Sequence, residues 1–431
     1  MDHEPVRRVL LVATTTGYQT RAFGDAAARV GVELVFATDR CAVLDDPWRD
    51  SAIPVRFHAP AAAVKGITAA HRVQPFAAVM AVGDRPAVLA ARAREALGLP
   101  GHSADAAVAA RHKLETRTRL RRAGLPTPAF IVEPLTTGVA ALAAAVTFPA
   151  VVKPVSLSGS RGVMRVDDEA QLSAAVERLR ALMARPDIRV ERDPAHDLLL
   201  VESFIPGHEF ALEGVMTDGV LRTLAVFDKP DPLDGPFFEE TIYLAGSESG
   251  AAEAPRIEAA VAAAALAMGL RHGPIHAECR VNASGVFVLE VAARPIGGIC
   301  ARSLRFEHPT ATAPMSLEEL LLRHALGEDV SGWQRELQAS GVMMIPIPRR
   351  GLYKGVSGVE AAREVVGVDD VVVTAKVGQL LVPLPEGASY LGFIFAHGET
   401  PAAADRALRE AHGRLSFAVT PDLPVLQSTH G

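Results

Sequence analysis

The chain has 431 residues, 49% of them hydrophobic and 22% charged, which suits two to four ordinary globular units and excludes disorder. Its formal charge of -6 argues against a general nucleic-acid or membrane-surface binder, and no run of about 18 apolar residues is present to span a bilayer. Cys41, Cys279 and Cys300 have no C-x-x-C spacing, so a zinc site or disulfide framework is not expected and a reducing, cytoplasmic setting is.

In chain order, the N-terminus reads as a first strand rather than a signal sequence. The apolar run Val9 to Ala13 is followed by Thr14 to Gly17, a helical stretch to Val30, a strand at Leu34 to Ala37, a strand within Phe76 to Val82, and a helix from Arg85 to Leu97. This β-α-β alternation predicts a parallel sheet with crossover helices. No G-x-G-x-x-G fingerprint accompanies it, so no dinucleotide site follows from the pattern. From Ser103 the sequence turns helical, with Ser103 and Asp105 as candidate caps and Gly124 and Pro126 as stops. Lys113 lies within this helix, where a plain surface lysine is the competing reading.

The strand Ala150 to Val152 runs into Lys153-Pro154 and then into Ser156 to Val163, whose Ser158, Gly159, Ser160 and Gly162 would let backbone N–H groups approach an anion. An ordinary hairpin turn is the alternative, and the lysine just before it favours phosphate. Leu198 to Val201 predicts a buried strand that breaks at Pro206-Gly207. The backbone of Ser203, Phe204 and Ile205 would then lack ladder partners and be free for a planar heterocycle, with core packing of Phe204 and Ile205 compatible with that use.

From His276 to Gly298, two β-rich runs flank Ala283-Ser284-Gly285, which predicts a hairpin with a three-residue loop and Asn282 facing Val286. Counting back along both strands sets Glu278 opposite Glu290, with Cβ atoms roughly 5 Å apart. Such a pair must share a proton, splay into water or hold a cation between its members, and Mg²⁺ with phosphates suits oxygen ligands of this kind. Arg294 and the open backbone of Gly297 and Gly298 follow; a guanidinium suits an anionic reacting centre. His276 is balanced between a satisfied core histidine and a site residue. Glu239, Glu240, Asp228 and Lys229 are balanced between a solvated loop and contact with a substrate. Beyond Gly298, a helix at Leu317 to Leu326, strands at Val342 to Ile347, Val371 to Ala375 and Tyr390 to Ala396, and a helix at Ala402 to His412 predict an α+β cap.

The order Lys113, Lys153-Pro154, Ser/Gly loop, Glu202-Ser-Phe-Ile-Pro-Gly-His-Glu209, His276-Ala-Glu278 and Leu289-Glu290-Val-Ala-Ala-Arg294 resembles the ATP-grasp superfamily of carboxylate-amine ligases. Each motif is weak alone; together, in this order over about 190 residues, they are not. The segment Asp228 to Thr241 and the run from Val382 to Leu408 are similar to the L-amino-acid ligase branch. The resemblance implies an α/β and α+β protein: an N-terminal parallel-sheet domain over 1–103, a two-lobed ATP-grasp domain over 104–200 and 201–310, and a C-terminal domain over 311–431. It assigns Lys113, Lys153 and the mobile Ser156 to Gly162 loop to the ATP phosphates, Glu202 and the backbone of Ser203 to Ile205 to adenine, and Glu209 to the ribose. Glu278 and Glu290 would hold two Mg²⁺, replaceable by Mn²⁺, and Arg294 would stabilise the acyl phosphate and tetrahedral intermediate. His276, Glu239, Gly297 and Gly298 are the candidates for substrate contact.

Many family members carry Asn two residues after the second metal glutamate, where this chain has Ala292, so a third protein ligand is not expected there. The implied reaction activates a carboxylate as an acyl phosphate, which an amine then captures. The partners implied are small molecules, an amino acid and an amine, with no nucleic acid or membrane, and a homodimer by base rate. An ATP-grasp enzyme with another acceptor, of carboxylase or purine-pathway type, and a non-catalytic ATP-binding module are the competing readings.

Overall fold

Continuous apolar runs need burial on both faces, which a parallel sheet between helices supplies. The computed structural model describes residues 6–14, 19–39 and 52–421 and begins with such a sheet. Strands β1 (Arg8–Ala13), β2 (Glu33–Thr38), β3 (Ala52–Pro54) and β4 (Ala78–Val82) lie in the order β3-β2-β1-β4, with helices α1 (Thr20–Val30), α2 (Pro60–Val73) and α3 (Asp84–Leu97). All three strand pairings are parallel. Val9, Leu11 and Ala13 pack with Phe23 of α1, while Leu10 and Val12 face Ile67 of α2 and Leu89 of α3. The strands and helices expected here are present; Thr15 to Gly17 and Cys41 lie outside the described residues.

The single helix expected from Ser103 is two. Helix α4 (Ala104–Arg111) starts where Ser103 Oγ accepts from the Ala106 N–H, and it ends at His112, whose φ of -102° and ψ of 103° turn the chain into α5 (Lys113–Arg122). A tertiary contact fixes the break, because the Lys113 N–H donates to the Val155 carbonyl instead of an intrahelical one. Asp105, expected as a cap, is instead bound at both oxygens by Arg119 of α5, each at 2.9 Å.

The smaller lobe contains β5 (Phe130–Pro134), α6 (Val139–Ala145), β6 (Ala150–Pro154), β7 (Met164–Val166), α7 (Glu169–Met183), α8 (Pro186–Arg189) and β8 (Leu198–Ser203), with sheet order β5-β8-β6-β7. Leu172, Val176 and Leu179 of α7 pack on Val152, Met164 and Val201. In contrast, α4 and α5 contribute Ala106, Ala107 and Leu120 to the core of the larger lobe.

That lobe is built on β9 (His208–Thr217), β10 (Val220–Asp228), β11 (Ile242–Ala245), α9 (Glu248–Met268), β12 (Gly273–Asn282) and β13 (Gly285–Ala292). The chain continues through β14 (Arg305–Glu307), β15 (Met315–Ser316), α10 (Leu317–Ala325), β16 (Gln334–Arg335), β17 (Ala339–Ile345), β18 (Gly351–Ser357), α11 (Val359–Arg363), β19 (Val368–Val373), β20 (Leu380–Leu381), β21 (Gly392–Gly398), α12 (Pro401–Gly413) and β22 (Ser416–Thr420). An eight-stranded sheet of order β13-β12-β9-β10-β11-β17-β21-β19 joins the two series. The sheet therefore crosses residue 311 without interruption, since Ile242 of β11 pairs with Met343 of β17.

Candidate active site

Alternation along β12 divides the strand's work. Ala277, Cys279 and Val281 enter the core beside Val261 and Ala265 of α9, so His276, Glu278 and Arg280 share the other face. Neighbouring β9 sets Glu213 opposite His276 and Glu209 opposite Arg280. Five ionisable groups thus share one region of sheet.

On the other side of β12, Glu278 does pair with Glu290, but by another route than equal counting. The loop has two residues, Ala283 and Ser284, and Gly285 opens β13 at a φ of 137° opposite Asn282. Val281 therefore faces Val286, one step away from the expected register, until an irregularity between Cys279 and Glu278 absorbs Leu289 and brings the glutamates together. The bulge and the shorter loop offset each other.

These residues border a cavity of about 510 Å³ that opens between the lobes and is lined from all parts of the chain. The N-terminal domain contributes Gln19, Gly83, Asp84 and Arg85; the start of α5 Lys113; the smaller lobe Lys153, Ser156, Ser158, Gly159, Ser160 and Glu202; the larger lobe Ile205, Glu209, Glu240, Tyr243, His276, Glu278, Glu290, Arg294, Gly297 and Gly298; and the C-terminal segment Met344, Ser389, Tyr390 and Phe393. Phe204 and Phe238 lie within it as a stacked pair 6.5 Å apart.

Three expectations are met differently. The wall is formed by Glu240 and not Glu239. Gly162 does not line the cavity, and its N–H donates to the Pro385 carbonyl at 2.7 Å. The backbone of 203–205 is largely used: the Ser203 and Phe204 N–H groups donate to the Ala129 and Pro149 carbonyls, and the Ile205 carbonyl accepts from Arg280 at 2.8 Å. Chain segments on either side of the break satisfy these groups, which sequence spacing alone did not reveal.

The charges fall into three groups. At one end, buried Glu202 is held by Arg117 Nε at 2.8 Å, Arg117 Nη2 at 3.1 Å and the Lys153 ammonium. Burial would raise Glu202, but Arg117 and Lys153 bring it down to about 2. Burial lowers Lys153 to about 8 although Glu202 opposes this.

In the middle, Lys229 Nζ lies 2.8 Å from Glu209, 2.5 Å from Glu240 and 3.5 Å from Glu278. Those three carboxylates are close enough together to grip a metal, within 4.8 Å, and the single Lys229 ammonium offsets only part of their charge. Burial and then Glu278 push Glu240 up to about 7, whereas Lys229 and His276 overcome burial and hold Glu278 well below the usual range. His276 Nδ1 donates to Glu213 at 3.1 Å; burial would lower the imidazole, but Glu213 and Glu278 raise it to about 9.

At the far end, Arg294 grips both oxygens of Asp84, at 2.8 and 3.2 Å. The pair keeps Asp84 ionised against its burial. Glu290 makes no ion pair or side-chain hydrogen bond among the described residues, and burial and Glu278 raise it. An acid lining a cavity, opposite a second acid and without its own cation, fits Mg²⁺ or Mn²⁺. Ala292 lies opposite His276 and offers no third oxygen. Gly298 adopts a φ of 61°, where a Cβ would come within 3.0 Å of the Phe393 ring.

Arg117, Arg280, Glu213 and Asp84 are site residues that the sequence reading missed. Two were marked by spacing: Arg117 is one helical turn beyond Lys113, and Arg280 is the next same-face residue after Glu278. Asp84 follows the end of a parallel strand, where open α/β sheets place binding groups. For Glu213 only the strand pairing supplies the signal.

A model of the ATP-grasp domain matches residues 146–303, one of the ATP-grasp N-terminal domain residues 24–101, and one of the L-amino acid ligase C-terminal domain 2 residues 343–420. The chain is 31% identical over 240 residues to a D-alanine--D-alanine ligase of Aromatoleum aromaticum, covering 54% of this chain and 72% of that protein. It is 23% identical over 330 residues to an uncharacterised protein of Sinorhizobium fredii, covering 75% of this chain and 64% of that one, just under two thirds of its length. The L-amino acid ligase of Bacillus licheniformis superposes with a TM-score of 0.81 at 26% identity, over 97% of this chain and all of that one (100%). By fold and by these relatives the chain falls in the ATP-grasp class of ligases. The chain belongs to the ATP-grasp ligase family and carries the C-terminal domain of L-amino acid ligases.

Proposed function

We propose that the protein joins the carboxylate of one amino acid to an amine, in the simplest case that of a second amino acid, and converts ATP to ADP and phosphate through an acyl phosphate. The observation that carries this reading is the cavity in which Glu278 and Glu290 face each other and a guanidinium fixed by Asp84 borders the same space. Lys113, Lys153 and the Ser158 to Ser160 backbone would serve the phosphates, Lys153 from beside Glu202, to which it is paired. Phe204, Ile205 and Glu202 serve the adenine end, and Glu209 the ribose. Oε1 of Glu202 already accepts from both Arg117 and Lys153, whereas Oε2 accepts only from Arg117 Nε and retains a lone pair for the adenine amino group.

Glu278 and Glu290 would hold Mg²⁺, which when bound neutralises charge on transferring phosphoryl oxygens. The protein's own share is to align a carboxylate with the γ-phosphate, keep water away and offer Arg294 to the developing oxyanion. His276, cationic between Glu213 and Glu278, and Glu240 border the space left for the amine. Phosphate release across a panel of amino-acid pairs, with the amide identified by mass, tests the reading. ADP appearing with amide supports it; AMP and pyrophosphate, or no turnover with any carboxylate–amine pair, refute it.

A further inference from the structure

Two segments from different parts of the chain, each leading to the cavity wall, meet at Arg178 of α7. Its Nε and Nη2 donate to the two oxygens of Glu386 at 2.8 and 3.0 Å, and its guanidinium lies 5.0 Å from the centre of the Phe237 ring. Glu386 belongs to the connection between β20 and β21. The same connection binds the glycine-rich loop through its backbone: the Pro385 carbonyl accepts from the Gly162 N–H at 2.7 Å, and the Glu386 carbonyl from Arg161 Nε at 3.0 Å.

One side of this connection thus holds the glycine-rich loop, while Ala388, Ser389 and Tyr390 just beyond line the cavity, as do Ser158 to Ser160 of the loop itself. Phe237 is similarly connected, since Glu240 lies three residues later on the cavity wall. The segment also borders the smaller lobe, where the Arg165 N–H donates to the Pro236 carbonyl at 2.9 Å. To move away from the cavity, the glycine-rich loop must break two hydrogen bonds to 385–386 or pull that connection along with it. The substrate wall at Ser389 and Tyr390 would then move too.

We propose that Arg178 and Glu386 form a clasp that positions the glycine-rich loop over the cavity and couples its closure to occupancy of the substrate wall. This inference rests on the ligase reading above. A substrate packed against Ser389 and Tyr390 steadies the 383–390 connection, and with it the loop. Without the clasp, water enters: its oxygen bonds the acyl carbon, the acyl–oxygen bond to phosphate breaks, phosphate leaves, and the carboxylic acid is regenerated with no amide formed. Arg178 and Glu386 are positioning residues, and neither lines the cavity. Their side chains are 43% and 30% exposed, so the pair adds little to global stability and its removal reports on the loop more than on folding.

The test uses the full-length protein with Glu386→Gln, Arg178→Gln, the milder Arg178→Lys, and the exchanged pair Arg178→Glu with Glu386→Arg. In the presence of MgADP, backbone hydrogen exchange over 158–163 should accelerate by roughly threefold to tenfold in the Gln variants, less in Arg178→Lys, and return toward the parent in the exchanged pair. The ratio of phosphate released to amide formed should rise in the same order. Unchanged exchange over 158–163 in both Gln variants overturns the clasp. Faster exchange with an unchanged phosphate-to-amide ratio overturns the coupling to substrate. If the parent protein forms no amide with any pair, the ligase reading fails by itself, and the exchange measurement still decides whether the clasp holds the loop.

Discussion

Two carboxylates that face each other across a ladder repel, and here the conflict is resolved unequally. Glu278 draws on Lys229 and His276 and stays ionised, whereas Glu290 is left without a cation and is raised. Bound Mg²⁺ would ionise both. Glu290→Gln removes charge with little change in shape, and we expect it to lower kcat on the order of a hundredfold or more, as for loss of a preorganised electrostatic group, while the urea midpoint barely falls or rises. Steady-state phosphate release, paired with a urea melt, checks both halves.

Glu202 shows the opposite balance. Its folded value of about 2 lies below the ordinary 4.5, so between those limits the unfolded chain binds more protons than the folded one. The contribution of Glu202 is therefore present above pH 4.5 and is lost as pH falls through about 2. Glu202→Gln leaves Arg117 and Lys153 buried without their counter-charge, at a cost of about 3–5 kcal/mol near pH 7. Denaturant melts of both proteins from pH 7 to pH 3 should show the gap narrowing below pH 4.5; a constant gap would assign the loss to packing instead.

At the scale of elements, the break between β8 and β9 places the 203–205 backbone at the cavity. Gly207 adopts a φ of 130° there, and a Cβ would meet the Val281 carbonyl at 2.4 Å. Gly207→Ala should cost about 1–3 kcal/mol, read from the urea midpoint, and should weaken nucleotide binding in a fluorescence titration because the 203–205 backbone shifts with it. Apolar runs and glycines made such elements legible in the sequence, and the opposing pair Glu278 and Glu290 was found although both the loop length and the bulge were misjudged. A loop shortened by one residue and a strand lengthened by one leave the same sum, so the facing pair is recovered while the register near the turn is not. The helix break at His112 was illegible for a different reason: it depends on the Val155 carbonyl, about forty residues away, and no local propensity encodes it.

For the whole molecule, the sequence suggested a C-terminal domain appended after residue 310, and the sheet shows why it cannot be detached. β11 has four residues and shares only two pairs with β10, but four with β17. Ile242 and Leu244 are buried against Met343, Ile345 and Leu408, while Met344 and Phe393 join a second core with Val9, Leu11 and Phe227. A chain ending at residue 338 would therefore expose the edge of β11 and both apolar faces, an invitation to aggregate. We expect that truncation to give insoluble protein, or a soluble form without cooperative unfolding by calorimetry, while the full chain's larger lobe and C-terminal segment melt in one transition. A soluble truncated protein that still melts cooperatively and binds ADP would mean that β11 is held by β10 alone, and that Tyr390 and Phe393 merely cover a cavity that forms without them.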